Sequence, residues 1–76
     1  MVGQLPLSVR ELECLKWAAR GKTYREIAMI TGISYATVKT YLDNCRYKMN
    51  CATLSQATAY AVAAGFLTLA DLGERT

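Results

Sequence analysis

The sequence predicts an all-α fold, a four-helix domain containing a helix-turn-helix. Three observations favour this class. A serine or threonine suited to cap a helix precedes each of four segments. Apolar residues recur at helical spacing within those segments, and no segment alternates as a strand would. Since 53% of the 76 residues are hydrophobic, we expect one packed domain over residues 1–76.

The first helix is predicted over about residues 8–20. Ser8 can cap it, and Glu11 three positions later can complete a capping box. Gly21 is expected to end the helix. The residues predicted to face the core share one arc of the helix: Leu12, Cys14, Leu15, Ala18 and Ala19.

The second helix is predicted over about residues 23–31 and is only about two turns long. Thr23 and Glu26 form a second candidate capping box, and Gly32 is expected to end the helix in the left-handed conformation. Its predicted apolar face consists of Ile27, Ala28 and Ile30.

The third and fourth helices are predicted over about 34–49 and 53–64, followed by a tail over 66–76 with one helical turn after Thr68. An inward stripe of the third helix comprises Val38, Leu42, Cys45 and Met49. The fourth helix has core-facing alanines and a second apolar side. Because no charged residue occurs from Met49 to Ala70, we expect that side to form a homodimer interface through Ala59, Val62 and Ala63.

A short helix, a tight glycine turn and a longer helix predict a helix-turn-helix, which would place the third helix in the DNA major groove. The residues of its outward face then become candidate base contacts: Ala36, Lys39, Thr40 and Asp43. Asp43 has an alternative role, because a carboxylate four residues after Lys39 can orient that ammonium by pairing with it. We favour the pair over a base contact.

Candidate contacts to the DNA backbone come from helix caps and basic or hydroxyl side chains: Lys22, Thr23, Tyr24, Arg25, Ser34, Thr37, Arg46 and Lys48. Between Lys16 and Lys48 there are seven basic residues and two acidic ones, whereas each flank has one more acidic than basic residue. This concentration of basic residues is consistent with double-stranded DNA as the binding partner. For Arg46 and Lys48, a plainly solvated role is an equal alternative.

Other residue types exclude several function classes. The sequence has no histidine, and its three cysteines lack the spacing of a zinc or redox site, so we expect neither an enzyme nor a metal or other cofactor. Cys14 and Cys45 are interpreted as small apolar core residues. Without an export signal or a membrane span of about 20 apolar residues, the expected compartment is the cytoplasm.

Residues 7–49 read LSVRELECLKWAARGKTYREIAMITGISYATVKTYLDNCRYKM, and Gln56-Ala57 follows. From Leu7 to about Leu67 the sequence resembles the LuxR/GerE-type helix-turn-helix domain of bacterial transcription regulators. The resemblance implies dimerisation through the last helix on a pseudo-palindromic site, with Lys39 and position 43 toward bases. The sequence departs from the family pattern at three positions. Tyr41 stands where many members have histidine, Leu54 where many have arginine, and Asp43 where several have a basic residue that reads bases.

Within that family, the segment LKWAARGKT resembles the quorum-sensing branch, whose members bind a small-molecule signal through an upstream domain. We expect such a sensing domain to lie outside this chain, which would be a C-terminal fragment or a stand-alone regulator. RNA polymerase is a further candidate partner. Two alternatives remain open: the effector domain of a two-component response regulator, and a protein-interaction module without DNA binding.

Overall fold

The computed structural model describes residues 7–68, and this part of the chain contains four helices and no strand. They are α1 (Val9–Ala19), α2 (Tyr24–Thr31), α3 (Tyr35–Lys48) and α4 (Leu54–Ala63). The predicted all-α class is therefore confirmed. The sequence-based ranges begin one residue earlier because they included the caps. The helical turn predicted after Thr68 lies outside the described residues.

Side-chain caps fix where each helix begins. Ser8, Thr23 and Thr53 each accept a hydrogen bond from the backbone N–H three residues later, and the side chain there accepts from the cap N–H in return. Ser34 caps α3 by accepting from the Thr37 N–H at 3.1 Å, without the reciprocal bond. Each cap satisfies amides that the helix leaves without partners and contributes about 0.5–2 kcal/mol.

The core lies around α3. Its stripe of Val38, Leu42, Cys45 and Met49 is buried as predicted. The other helices complete the core with Cys14, Leu15, Ile27, Ala57 and Ala61. Both α1 and α3 pack against all three of the other helices. Because the other three helices pack against one face of α3, the opposite face of α3 is exposed to solvent.

The prediction that Ile30 faces the core is wrong, since its side chain is 45% exposed. The side of α2 that packs on the core consists of Tyr24, Ile27 and Ala28, and the half-buried Thr31 continues the i, i+3, i+4, i+7 spacing of the same helical face. Ile30 lies beyond the edge of that face.

The predicted tail begins inside the core. Gly65 has a φ of +86°, which turns the chain back after α4. Phe66 and Leu67 then both donate backbone hydrogen bonds to the Ala61 carbonyl, at 2.8 and 3.1 Å. As a result Leu67 is only 2% exposed. In the sequence, a glycine directly after a helix, followed by two large apolar residues, is the signal that could have predicted that the chain turns back onto the core.

A buried carboxylate connects α1 to α3. Glu11 is 4% exposed and accepts from the Ser8 N–H at 2.9 Å, the Lys48 ammonium at 2.8 Å and the Asn44 amide at 3.4 Å. Burial by itself raises the pKa of Glu11, but these donors outweigh it and hold that pKa below its ordinary value. Sequence reasoning identified Glu11 only as part of a cap.

The two core cysteines behave as buried apolar groups. Burial raises the pKa of the Cys14 thiol, and burial together with the nearby Glu11 carboxylate raises the pKa of Cys45 to about 12. Both are free thiols that remain protonated at neutral pH. Cys51 is half-buried.

Candidate nucleic-acid interface

The turn between α2 and α3 sets the angle at which α3 is presented. Gly32 ends α2 in the left-handed conformation, with φ +75° and ψ 14°, and donates to the Ala28 carbonyl at 2.9 Å. A side chain at this position would meet no neighbour within 4 Å, so the backbone conformation rather than space requires glycine. Ile33 packs against the core between the two helices. The glycine turn inferred from the sequence is thus present.

Opposite its buried stripe, α3 presents a polar face to solvent. Ala36, Lys39 and Thr40 are exposed, and Asp43 is half-exposed on the next turn. The face continues to Tyr47, which is also exposed. The structure therefore brings the four candidate base contacts together on one surface, where they are accessible to a ligand.

Asp43 bridges two cations on this face. One carboxylate oxygen, Oδ2, accepts from the Lys39 ammonium at 3.2 Å, and the other, Oδ1, accepts from Arg46 Nη2 at 3.0 Å. These bonds, that of Arg46 above all, lower the pKa of Asp43 below its ordinary value. The Lys39 pair is the one that the four-residue spacing favoured.

Side chains from the first turns of α2 and α3 contact each other. The rings of Tyr24 and Tyr35 meet edge to face with centroids 6.0 Å apart, and the Arg25 guanidinium lies 5.8 Å from the centre of the Tyr35 ring. Thr23 and Ser34 cap the same two helix ends. Sequence reasoning missed Tyr35, because the partner of an aromatic residue at a helix start is known only from the packing.

The remaining backbone candidates divide into two groups. Lys22 is exposed just before α2, and Thr37 lies in the first turn of α3, where its Oγ1 accepts from Ser34 Oγ at 2.8 Å. Arg46 and Lys48 lie at the other end of α3 and have protein partners. Arg46 donates to the Ala52 carbonyl at 2.8 Å as well as to Asp43, and Lys48 donates to Glu11.

The outer side of α4 forms a second, uncharged surface. Ala59 and Ala63 are exposed and Val62 is half-buried, while Ala57 and Ala61 on the opposite side are fully buried. We call Ala59, Val62 and Ala63 the α4 patch. It contains the three residues that the sequence assigned to a dimer interface.

Two kinds of feature are absent from residues 7–68. The described side chains include no cluster of three or more histidine, cysteine, aspartate or glutamate residues that could hold a metal ion. In the same range, no helix is both long and apolar enough to cross a membrane.

Two helices joined by a left-handed glycine turn, the second with a buried stripe and an exposed polar face, form a helix-turn-helix, the motif of many DNA-binding domains. Residues 5–61 match the family described as bacterial regulatory proteins, luxR family, and the chain belongs to that family. It is the DNA-binding domain of a LuxR-type transcription regulator, and its family is one of regulators rather than enzymes.

Several curated relatives are similar over most of this chain. The quorum sensing-dependent transcriptional regulator VjbR of Brucella ovis is 44% identical over 87% of the chain and 26% of its own length. The regulatory protein SdiA of Escherichia coli is 42% identical over 88% of the chain and 28% of its own length. The transcriptional activator protein EsaR of Pantoea stewartii is 49% identical over 72% of the chain and 22% of its own length. This chain thus spans about a quarter of the length of these relatives.

Proposed function

We propose that α3 enters the DNA major groove and that Ala36, Lys39 and Thr40 contact base edges there. The observation that carries this proposal is the exposed face of α3, which lies opposite the buried stripe of the same helix. Ala36 is small enough for close approach to a thymine methyl group, and Lys39 can donate to guanine O6 or N7. Thr40 can donate or accept, so the face suits a specific sequence.

The N-termini of α2 and α3, whose first-turn side chains contact each other, are proposed to hold the DNA backbone. Free N–H groups and the helix dipole at these ends favour a phosphate. Lys22, Arg25 and the hydroxyl of Tyr24 add donors on the same side of the domain. Selection of bound duplexes from a random pool tests the proposal as a whole: one enriched motif supports it, and enrichment of none contradicts it.

Lys39→Ala is expected to reduce the preference for the selected motif by about 1–3 kcal/mol, because it removes a bidentate donor to a base. The measurement compares dissociation constants on the selected motif and on a random duplex at the same salt concentration. The loss should be larger on the motif than on the random duplex.

Lys22→Ala is the matched control, since it removes the same charge from a position assigned to phosphate. It should weaken binding to both duplexes alike and lower the slope of log affinity against log salt by about one. If Lys39→Ala behaves in the same way as Lys22→Ala, Lys39 contacts phosphate and the base assignment is wrong.

We also propose that two copies of the chain associate through the α4 patch. An uncharged, partly apolar helix side is typical of a second buried surface, and a twofold axis would bring the patch against itself. The two α3 helices would then occupy half-sites about 34 Å apart, one turn of DNA.

Ala63→Glu is expected to weaken dimerisation and binding to a palindromic motif while leaving the helix content unchanged, since it places a charge in the proposed contact at a position that is exposed in the single chain. Sedimentation equilibrium and circular dichroism measure the two effects. Val9→Glu is the matched control, because it adds the same charge at an exposed position on α1. Equal association of both variants and the unmodified chain would remove the α4 patch from the proposal.

The similarity to VjbR, a quorum sensing-dependent transcriptional regulator, supports a further proposal, that this domain serves a quorum-sensing regulator whose small-molecule signal is bound elsewhere in the protein. A promoter carrying the selected motif should then drive a reporter in step with cell density. A reporter indifferent to spent culture medium would contradict this assignment.

A further inference from the structure

We propose that Asp43 and Arg46 are positioning residues that fix the Lys39 ammonium for its base contact, rather than DNA contacts themselves. This inference rests on the proposed function of Lys39. It gives one shared role to two residues for which the sequence left two readings each: Asp43 as the partner of Lys39 or a base contact, and Arg46 as a phosphate contact or a solvated residue.

A series of hydrogen bonds leads to Lys39, and it begins outside α3. Arg46 Nη1 donates at 2.8 Å to the carbonyl of Ala52, in the segment between α3 and α4. Its other terminal nitrogen, Nη2, donates at 3.0 Å to Asp43 Oδ1. The planar guanidinium makes both bonds at once, and a backbone carbonyl is a fixed point that a flexible side chain is not.

The connection ends at the proposed base-contacting atom. Asp43 Oδ2, the oxygen that Arg46 leaves free, accepts from Lys39 Nζ at 3.2 Å. Each carboxylate oxygen thus takes one cation, and the order along the chain of bonds is Ala52, Arg46, Asp43, Lys39. A lone exposed pair at this spacing stabilises little. With Arg46 held from the loop, the Asp43 carboxylate has a fixed position to which the flexible lysine is drawn.

Charge argues for the same roles. A carboxylate on a face that meets phosphates weakens DNA binding, so Asp43 requires a compensating benefit if the face binds DNA. Ordering the four-carbon stem of Lys39 before binding supplies it, since less side-chain freedom is then lost in the complex. We therefore expect Asp43 to raise the preference for the selected motif and to lower the affinity for all DNA.

The test compares variants that share a charge change but differ in hydrogen bonding. Asp43→Ala and Asp43→Asn both remove the negative charge and should raise affinity for random duplex alike, by about two- to fivefold. The asparagine keeps one of the two acceptor oxygens, and only the alanine removes both. The alanine should reduce preference at the base pair that Lys39 contacts by about three- to tenfold, and the asparagine should reduce it less.

Arg46→Lys separates positioning from phosphate contact, because it keeps the charge but cannot bond Ala52 and Asp43 together in the same geometry. It should lower preference at the same base pair while leaving random-duplex affinity within about twofold. The double variant Lys39→Ala/Asp43→Ala should show no more loss of preference than Lys39→Ala, since residues that act through one another are not additive.

Selection profiles from a random DNA pool, with thermal unfolding as a check on folding, measure all of these effects. The base pair at which Asp43→Ala loses preference is compared with the one at which Lys39→Ala loses it. If the two base pairs differ, Asp43 contacts a base directly and the proposal is overturned. Unchanged profiles in both Asp43→Ala and Arg46→Lys would overturn it as well. An unmodified chain that selects no motif overturns the proposed function and this inference together, whereas a motif that the variants retain overturns this inference alone.

Discussion

Leu42→Ala is expected to lower the free energy of unfolding by about 2–5 kcal/mol, the range for a buried leucine that leaves a cavity. Leu42 is fully buried at the middle of the α3 stripe, between Val38 and Cys45. Since α3 packs against all three other helices, the neighbours cannot close the space without moving one another. A domain of this length has a total stability of about 5–10 kcal/mol, so the loss is a large share of it.

Urea unfolding followed by circular dichroism measures the effect. Tyr47→Ala is the control, since it removes a larger side chain from the same helix at a position that is 88% exposed. It should change stability by about 0.5 kcal/mol or less. Comparable midpoints for the two variants would mean that the α3 stripe does not carry the stability of the domain.

The buried and exposed sides of α3 were predictable because they depend on helical spacing alone. Val38, Leu42, Cys45 and Met49 recur with that spacing, and a cap at Ser34 fixes where the helix begins. Once the start and one side of a long helix are known, the opposite side follows. Ala36, Lys39, Thr40 and Asp43 were found in this way, as residues of a shared outward face.

Contacts between distant parts of the chain could not be predicted in the same way. Ile30 has the spacing of a core residue, yet the short α2 packs through an adjacent side and leaves it exposed. Lys48 looked equally suited to solvent or phosphate, and only the packing of α1 on α3 brings it to Glu11, 37 positions earlier. Arg46 likewise finds Ala52 because the chain turns after α3. A basic residue's partner depends on this geometry, which spacing does not contain.

Of these unpredicted contacts, the buried Glu11 carboxylate has the largest expected effect. Glu11→Ala removes the reciprocal half of the α1 capping box and the acceptor for Lys48 and Asn44. Loss of a cap costs about 0.5–2 kcal/mol and loss of a charged hydrogen bond about 1.5–3 kcal/mol. Because Lys48 regains water when its partner is removed, we expect a net loss of stability of about 2–4 kcal/mol.

Glu11→Gln isolates the charge, since glutamine serves in a capping box and can accept a hydrogen bond but lacks the negative charge that attracts the Lys48 ammonium. The native pKa of Glu11 lies below its ordinary value of 4.5, so its ionised form stabilises the folded state. That contribution is fully present above the ordinary pKa and is lost as the pH falls through the lower, native pKa. The stability difference between the unmodified chain and Glu11→Gln should therefore be constant near neutral pH and shrink below about pH 4.5.

Urea titrations at a series of pH values measure this difference directly, and subtraction removes the titration of Glu26 and Asp43, which both proteins share. Glu13→Gln is the matched control, because Glu13 pairs with Arg10 on the same helix at 3.1 Å but in an exposed position. An exposed pair of this kind contributes about 0–1 kcal/mol, so that variant should differ little at any pH. If Glu11→Gln and Glu13→Gln give the same curve, the Lys48 contact does not stabilise the α1–α3 packing, and the burial of Glu11 reflects its cap alone.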